Sequence, residues 1–461
     1  MNMTVRNLLD ERFDELSELV EAGMKRLRVP GAALGVWHKG GRRVAGFGET
    51  SVENPLPVTP QTLFQIGSIT KTMTSAALMR FVEEGRLDLD QPLRELMPGF
   101  SMADPVVTEQ ATARHLLTHT GGWVGDYFDD FGNGDDALAA MVAAVGRLEQ
   151  VTPLGEVWSY NNAGFNIAGR LLEILSGKPY ETALRELLFA PLGMEQSWFY
   201  PDDVFFTHRF AVGHEKRDDQ VVVARPWAIG RAGNCVGGGI CSVGDLLDYA
   251  RFMLDGGVNA RGERIMKQST LDCMLEPGME AGVGKRIGIT WNIRTPGGMK
   301  VCGHGGATHG QEAALHFAPG EDFAIALLTN SGAGAILTDS ILEWGMKIWF
   351  GIAPGLPEPI PASAAELDEF HGLYDLPLSA FTLGPREGGF VLQDLPRGGF
   401  PRPDIQPGQP DPPMKAVPCG NDRFLVLDEP RKGAIGEFIR DGEGRVRFCR
   451  LGGRVHRKTQ G

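Results

Sequence analysis

Three short residue clusters in this chain can do chemistry. Ser68, Ile69, Thr70 and Lys71 open an apolar helical pattern directly after the run FQIG. Residues three apart share a helix face, so a hydroxyl and an amine can meet there. A serine hydroxyl becomes a useful nucleophile only when a neighbouring group takes its proton. A lysine can do so once burial and nearby cations depress its pKa, and a helix N-terminus favours negative charge developing at Ser68. Taken alone, the pair reads equally well as a helix cap beside a solvated charge.

The second cluster, Tyr160-Asn161-Asn162, lies in EVWSYNNAGFNIAGRLLEIL, ahead of another helical pattern. A phenol held near a cation can relay a proton, and the Asn162 amide can orient a substrate carbonyl or the lysine. The third, His304-Gly305-Gly306, ends the strand-like KVCGHGG. Two glycines let a substrate backbone lie against the strand edge. The N–H of Ala307 just beyond them can join that of Ser68 as an oxyanion-binding pair, with His304 binding substrate or tuning the proton relay. In isolation, each of these two has a plainer reading: a capped helix start with a half-buried tyrosine, and a glycine turn with an incidental histidine.

The elements that must position these clusters come in a telling order. Apolar residues at Leu8, Leu9, Phe13, Leu16, Leu19, Val20 and Met24 predict a helix over 8–28, ended by Pro30. Two apolar runs around Lys39-Gly40-Gly41 predict a hairpin. A helix is expected from Ser68 to Glu84, and helices and loops dominate 105–275, with helices at 137–147, 164–176, 180–188 and 243–255. KRIGITWNI, MKVCGHG, EAALHFAP and DFAIALLTN then read as strands, before an apolar helix near 334–350. Strands, a helical insertion, then strands again imply an α+β unit: an antiparallel sheet flanked by helices, with a mostly helical subdomain inserted. A cleft between the two parts is the natural place for a site. Residues 1–352 form this expected catalytic domain, and the proline-rich 353–366 a linker. Residues 367–461, with short alternating runs and a turn at Asp441-Gly442-Glu443-Gly444, form a small all-β barrel.

At 461 residues the chain is too long for one ordinary core. A formal net charge of −13 argues against nucleic-acid binding and gives no reason for attraction to anionic membranes. The N-terminus carries acids from Asp10 onward and lacks an export-type apolar stretch, so a cytoplasmic location is expected. The six cysteines, Cys235, Cys241, Cys273, Cys302, Cys419 and Cys449, lack C-x-x-C spacing and read as reduced, mostly buried thiols. His304, His309 and His316 have no carboxylate at ligand spacing, so a metal site is not expected. No organic cofactor is expected either. His115 and His119 look catalytic by spacing, but His119 is read as knitting the loop beneath the site. Trp123 and Trp158 are assigned to cleft or core, and Glu312 to a charge behind the third cluster.

Together the three clusters agree in order, spacing and context. The sequence resembles the family that includes class C β-lactamases, serine DD-peptidases and CubicO-type esterases, over roughly residues 10–350. TARHLLTHTGGW, PLGM, Gly237-Gly238-Gly239 and SVGDLLDYARFM carry the likeness further. The resemblance implies Ser68 as acylated nucleophile, Lys71 as its neighbour, Tyr160 as phenolic base or acid, and Asn162 as a substrate-orienting amide. His304 and Gly306 belong to the third box, and Gly237–Gly239 to a cleft rim facing it. β-Lactamases and DD-peptidases of the group usually carry lysine where His304 stands, so this chain resembles the esterase and peptide-acting branches. The C-terminal unit, opening FHGLYDLP, resembles lipocalin-like barrels that roof the cleft in some members. Arg450 and Arg454 near its end are candidates to reach a substrate carboxylate.

The expected function is a serine hydrolase that forms an acyl-Ser68 intermediate and cleaves ester, amide or peptide bonds of small molecules or short peptides. Acyl transfer or peptide cyclisation, and a non-catalytic sensor that is acylated without turnover, are the alternatives. The sequence leaves the oligomeric state open.

Overall fold

The computed structural model describes residues 3–460, apart from 208, 228, 354 and 361. Helix α1 (Met3–Leu27) leads into strands β1 (Gly31–His38) and β2 (Gly41–Gly48), joined by the expected Lys39-Gly40 turn. Helices α2 (Ile69–Glu83), α3 (Asn162–Ser176) and α4 (Val243–Leu254) belong to the long helical insertion. Strands β3 (Lys285–Ile287), β4 (Asn292–Arg294), β5 (Val301–Thr308), β6 (Gln311–Ala318) and β7 (Phe323–Thr329) then return, followed by α5 (Ala335–Phe350). The sheet order is β2-β1-β7-β6-β5-β4-β3, and its pairings are antiparallel. The architecture is the α+β class read from the sequence.

Side-chain alternation explains the layers. Ala313, Leu315 and Phe317 of β6 point to the core shared with α2 and α4, while Ala314 and Ala318 face α1 and α5. Strand β7 is buried along its whole length. It sits centrally with helices on both faces, so it reads as an uninterrupted apolar run rather than an alternating one. Helix α1 presents Leu9, Phe13, Leu16, Val20 and Met24 to the sheet, one stripe at helical spacing. Helix α2 has no such stripe: Ile69 through Met79 are all buried, Lys71 among them.

Some boundaries moved. Helix α1 begins five residues before the expected Leu8. The helix expected at 180–188 is regular only over Tyr180–Leu184, then widens into a π-turn at Arg185–Phe189. Short pairings at Phe64–Gln65, Ser197–Trp198 and Ile240–Cys241 form a separate three-stranded sheet that two-residue patterns do not reveal.

Beyond the described part of 352–366, which holds no helix or strand, the chain closes an eight-stranded barrel. Its strands are β8 (Gly372–Leu376), β9 (Ser379–Arg386), β10 (Gly389–Pro396), β11 (Met414–Gly420), β12 (Arg423–Val426), β13 (Ile435–Arg440), β14 (Val446–Leu451) and β15 (Arg454–Gln460). Each pairs with its chain neighbour, and β8 with β15 closes the ring. Tyr374, Phe381, Phe390, Phe424 and Phe438 fill the interior, and Phe370 stacks on Phe438 at 4.2 Å. Closure leaves no unpaired edge for this unit.

His38, His304 and His456 are buried and His316 lines a chamber. Burial brings His38 and His456 to about 4, and His304 and His316 to about 3. An unfolded chain takes up these protons near pH 6.5, about the ordinary histidine value. Stability present above about pH 6.5 is therefore lost as the pH falls toward the native values. Calorimetry should show the melting temperature dropping steadily from about pH 6.5 to about pH 4; a flat profile across that window would contradict the assignment.

Candidate active site

Ser68 occupies the cap position of α2, yet its side chain makes no capping hydrogen bond. Its hydroxyl is thus free of the structural duty that its position suggests. Lys71, one turn on, is fully buried rather than solvated. Its Nζ lies 2.9 Å from Ser68 Oγ and donates to the Val236 carbonyl at 2.7 Å. The Tyr160 and Phe165 rings lie 5.0 and 5.7 Å away, and no carboxylate forms an ion pair with it among the described residues. Burial, and next the charge of Arg454, hold the amine well below the ordinary lysine value.

Tyr160 reaches the same spot because Asn161, not its neighbours, caps α3. Asn161 Oδ1 accepts from the Gly164 N–H at 2.7 Å, and its Nδ2 donates to the Trp123 carbonyl at 2.9 Å. Tyr160 and Asn162 are left to project from either side of that anchor. The Tyr160 hydroxyl is buried and faces Ser68 closely enough to feel it, but no hydrogen bond of regular geometry closes between them. Burial pushes the phenol above its ordinary value. His119 lies beneath: its Nδ1 accepts from the Asn161 N–H at 3.0 Å and its ring packs against Tyr160 at 4.4 Å. His115 joins a capping box with Thr112.

Strand β5 comes against the start of α2 with little room to spare. A Cβ on Gly306 would lie 1.9 Å from the Ile66 carbonyl oxygen and 3.0 Å from Ser68 N. Gly67, at φ +51°, would meet the Ala307 nitrogen at 2.4 Å. Only glycine at both positions lets the Ser68 and Ala307 backbones approach this closely. His304 is buried, its ring 6.1 Å from that of Tyr160. Its Nδ1 hydrogen bonds the Gly305 carbonyl, so Nδ1 carries the proton, and burial keeps the imidazole neutral. Gly237 borders the cavity at Ser68, whereas Gly239 packs behind it on Thr70.

The barrel brings Arg454 to the cleft, where its partner is a carboxylate of the protein itself. The turn between β14 and β15 enters the cleft: the Gly453 carbonyl accepts from the Tyr160 N–H at 2.9 Å, and the Val455 N–H donates to Ser159 Oγ at 3.1 Å. Arg454 pairs with Asp126, donating through Nη2 to Oδ1 at 3.2 Å, and lies 5.2 Å from the Tyr160 ring centre. Asp126 also accepts from Asn162 Nδ2. Burial alone would raise the Asp126 carboxyl, but the Arg454 guanidinium and the Asn162 amide hold it below its ordinary value. Arg450 instead meets Glu437 at 3.3 Å and borders neither of the two main cavities. Asp126 had no signal of its own in the sequence, since its meaning depends on an arginine 328 residues away.

Two cavities open at Ser68. One, about 330 Å³, is lined by Ile229, Phe128 and the barrel residues Leu378, Phe381 and Phe400. The other, about 380 Å³, is lined by Tyr160, His304 and charged residues of β3, β4, β6 and α5. Among the described residues no group of three or more His, Cys, Asp or Glu is arranged to hold a metal ion, and no helix is long and apolar enough to cross a membrane. The six cysteines are unpaired; four are buried, Cys419 is half-buried and Cys273 is exposed.

Replacing Asp126 by alanine strands Arg454 as an uncompensated cation in the cleft. Leaving one member of a partly buried, hydrogen-bonded pair without its partner costs roughly 1–3 kcal/mol. Asp126→Ala should lower unfolding free energy by that order in denaturant titration and expose the β14–β15 turn to proteolysis. A change below about 0.5 kcal/mol, the level of a surface substitution, would show that the pair does not secure the barrel.

The beta-lactamase family profile matches residues 16–338. Penicillin-binding protein 4 of Amycolatopsis lactamdurans is 34% identical over 375 residues, spanning 77% of this chain and 95% of that protein. The crystal structure of SurE superposes with a TM-score of 0.74 at 26% identity, covering 98% of this chain and 100% of the other. The octameric penicillin-binding protein homologue from Pyrococcus abyssi shares the fold at a TM-score of 0.64, with 24% identity over 95% of this chain and 98% of its own. The chain belongs to the beta-lactamase family of serine hydrolases and penicillin-binding proteins, with a C-terminal barrel of lipocalin-like form.

Proposed function

We propose that this protein cleaves ester or amide bonds of small molecules or short peptides through an acyl-Ser68 intermediate. The observation that carries this reading is Lys71 Nζ at 2.9 Å from Ser68 Oγ, buried and, among the described residues, without a carboxylate in ion-pair contact. A buried amine in that setting sheds its proton readily and can accept the one from Ser68. Tyr160 is displaced in the opposite direction, so it keeps its proton. Two titratable groups pushed apart in this way divide the roles: Lys71 is the base, and Tyr160 the acid that protonates the leaving group. The pair titrates as a unit, and Lys71 can return the proton to Tyr160 within it.

In this mechanism the Ser68 and Ala307 N–H groups hold the oxyanion as the tetrahedral intermediate forms. Asn162 gives its Nδ2 to Asp126, which leaves Oδ1 to accept from a substrate amide N–H. Collapse expels the leaving group with the Tyr160 proton, and water activated by Lys71 then releases the acyl group. His304, being neutral, offers a substrate carboxylate no charge, which favours esters and amides over β-lactams. A SurE structure 25% identical to this chain was solved with D-Leu, so D-amino-acid amides belong among the first substrates to test.

Fluorophosphonate labelling should place one adduct on Ser68, and Ser68→Ala should abolish both label and turnover. Lys71→Ala and Tyr160→Phe should each lower kcat/KM by roughly 10⁴–10⁶-fold, in the manner of residues acting as one unit. Activity of Ser68→Ala at the wild-type rate would refute the mechanism. Turnover of a p-nitrophenyl ester with and without an added amine separates hydrolysis from acyl transfer by the products formed.

The acid limb of the pH profile carries a signed prediction. Arg454 lowers the Lys71 pKa and Asp126 raises it. Arg454→Met removes the first and leaves the second unopposed, so the amine keeps its proton to higher pH. The acid limb of kcat/KM should move to higher pH; a limb that stays in place or moves down would separate Arg454 from the proton relay.

A further inference from the structure

The histidine beneath Tyr160 grips the chain on both sides of it. His119 sits in the left-handed region, at φ +57°, a conformation that histidine and asparagine adopt more often than most residues. Both its carbonyl and its ring meet the segment 159–161. The carbonyl accepts from the Ser159 N–H at 3.0 Å, and Nδ1 accepts from the Asn161 N–H at 3.0 Å. The Tyr160 N–H, between them, donates to the Gly453 carbonyl of the barrel at 2.9 Å. Three successive N–H groups are thus taken up by residues far away in sequence, two of them by His119. The asparagine cap that carries Tyr160 is itself held from below.

These contacts fix the state of the ring. A backbone N–H can only donate, so Nδ1 is unprotonated and the neutral imidazole carries its proton on Nε2. Burial keeps the ring neutral. Nε2 has no acceptor among the described residues. A buried donor left unpaired is unfavourable, and an apolar side chain would fill the same space without it. What an apolar side chain would lose is the acceptor for Asn161. The imidazole also packs on Tyr160 at 4.4 Å and on Phe165 at 5.2 Å. Those two rings face Lys71 Nζ, so His119 supports the aromatic walls of the amine as well.

A phenol that protonates a leaving group must stay within hydrogen-bond reach of it. The Tyr160 hydroxyl has no partner of regular geometry among the described residues to hold it there. Its place is therefore set by its backbone and by the ring beneath. We propose that His119 is a positioning residue for Tyr160: with its proton on Nε2, it clamps the backbone on either side so that the phenol reaches the leaving group. This rests on the acyl-Ser68 reading for the work of the phenol, not for the clamp itself. The consequence is selective. A leaving group that departs as a stable anion needs little help from an acid, whereas a poor one needs the phenol in place.

Two amide substitutions test the clamp. In His119→Asn the side-chain oxygen stands near the place of Nδ1 and can still accept from Asn161. In His119→Gln it stands one bond farther out and cannot. Values of kcat/KM for p-nitrophenyl butyrate and trifluoroethyl butyrate compare a good with a poor leaving group on one acyl group. His119→Gln should lose about 10²-fold on the trifluoroethyl ester but less than about tenfold on the p-nitrophenyl ester. His119→Asn should stay within about threefold of wild type on both, since the acceptor is kept. Equal losses on the two esters, wild-type activity of His119→Gln, or His119→Asn as slow as His119→Gln on the trifluoroethyl ester would overturn the proposal. Histidine ¹⁵N NMR on the wild-type protein needs no variant to fold. Nδ1 of His119 should be unprotonated and Nε2 protonated across the active pH range, and a proton on Nδ1 would overturn the proposal. Failure of the wild type to turn over either ester would defeat the hydrolase function instead, and the tautomer would still decide the clamp.

Discussion

A lysine side chain taken wholly out of water, with no carboxylate in ion-pair contact among the described residues, governs the rest of this site. Burying an ammonium alone is so unfavourable that the group gives up its proton instead. Lys71 is in that position, held by one backbone carbonyl and two aromatic faces and in contact with Ser68 Oγ. A carboxylate in the place of the Phe165 ring would favour the charged amine, which cannot take the Ser68 proton. The all-round burial of α2 follows from the same need, because a helix with a wet face at Lys71 would restore its ordinary titration.

The barrel is part of this electrostatic setting rather than a separate attachment. Arg454 adds positive charge near Lys71, and Asp126 tempers it while fixing the Asn162 amide. The Gly453 carbonyl anchors the Tyr160 backbone. The phenol is therefore located by two elements distant in sequence: the asparagine cap of α3 from below and the β14–β15 turn from above. Such a site assembles only when both units are folded and docked.

The sequence made the contact between Ser68 and Lys71 legible because it is local. A serine and a lysine three apart, at the start of an apolar helix, already share a face. Gly306 and Gly67 were legible as glycines, but not as the pair whose missing Cβ atoms let Ala307 meet Ser68. The late strands were legible through their apolar runs, and the barrel through alternation and turns. Asp126 was not, since a lone aspartate in a loop carries no pattern until Arg454 arrives from the barrel. Arg450 and Arg454 could not be told apart by type; strand alternation would put them on the same face, but the turn at Gly452-Gly453 separates them. The two-residue strands were also out of reach, being too short for any periodicity to register.

The most direct test of the account is the titration of Lys71 itself, followed by NMR on protein carrying ¹³C-labelled lysine, with Lys71→Met to assign the signal. Lys71 should lose its proton far below the ordinary lysine value of about 10.4, and its resonance should respond to acylation of Ser68. A Lys71 signal that remains that of a charged amine up to about pH 10 would contradict the proposed mechanism at its base.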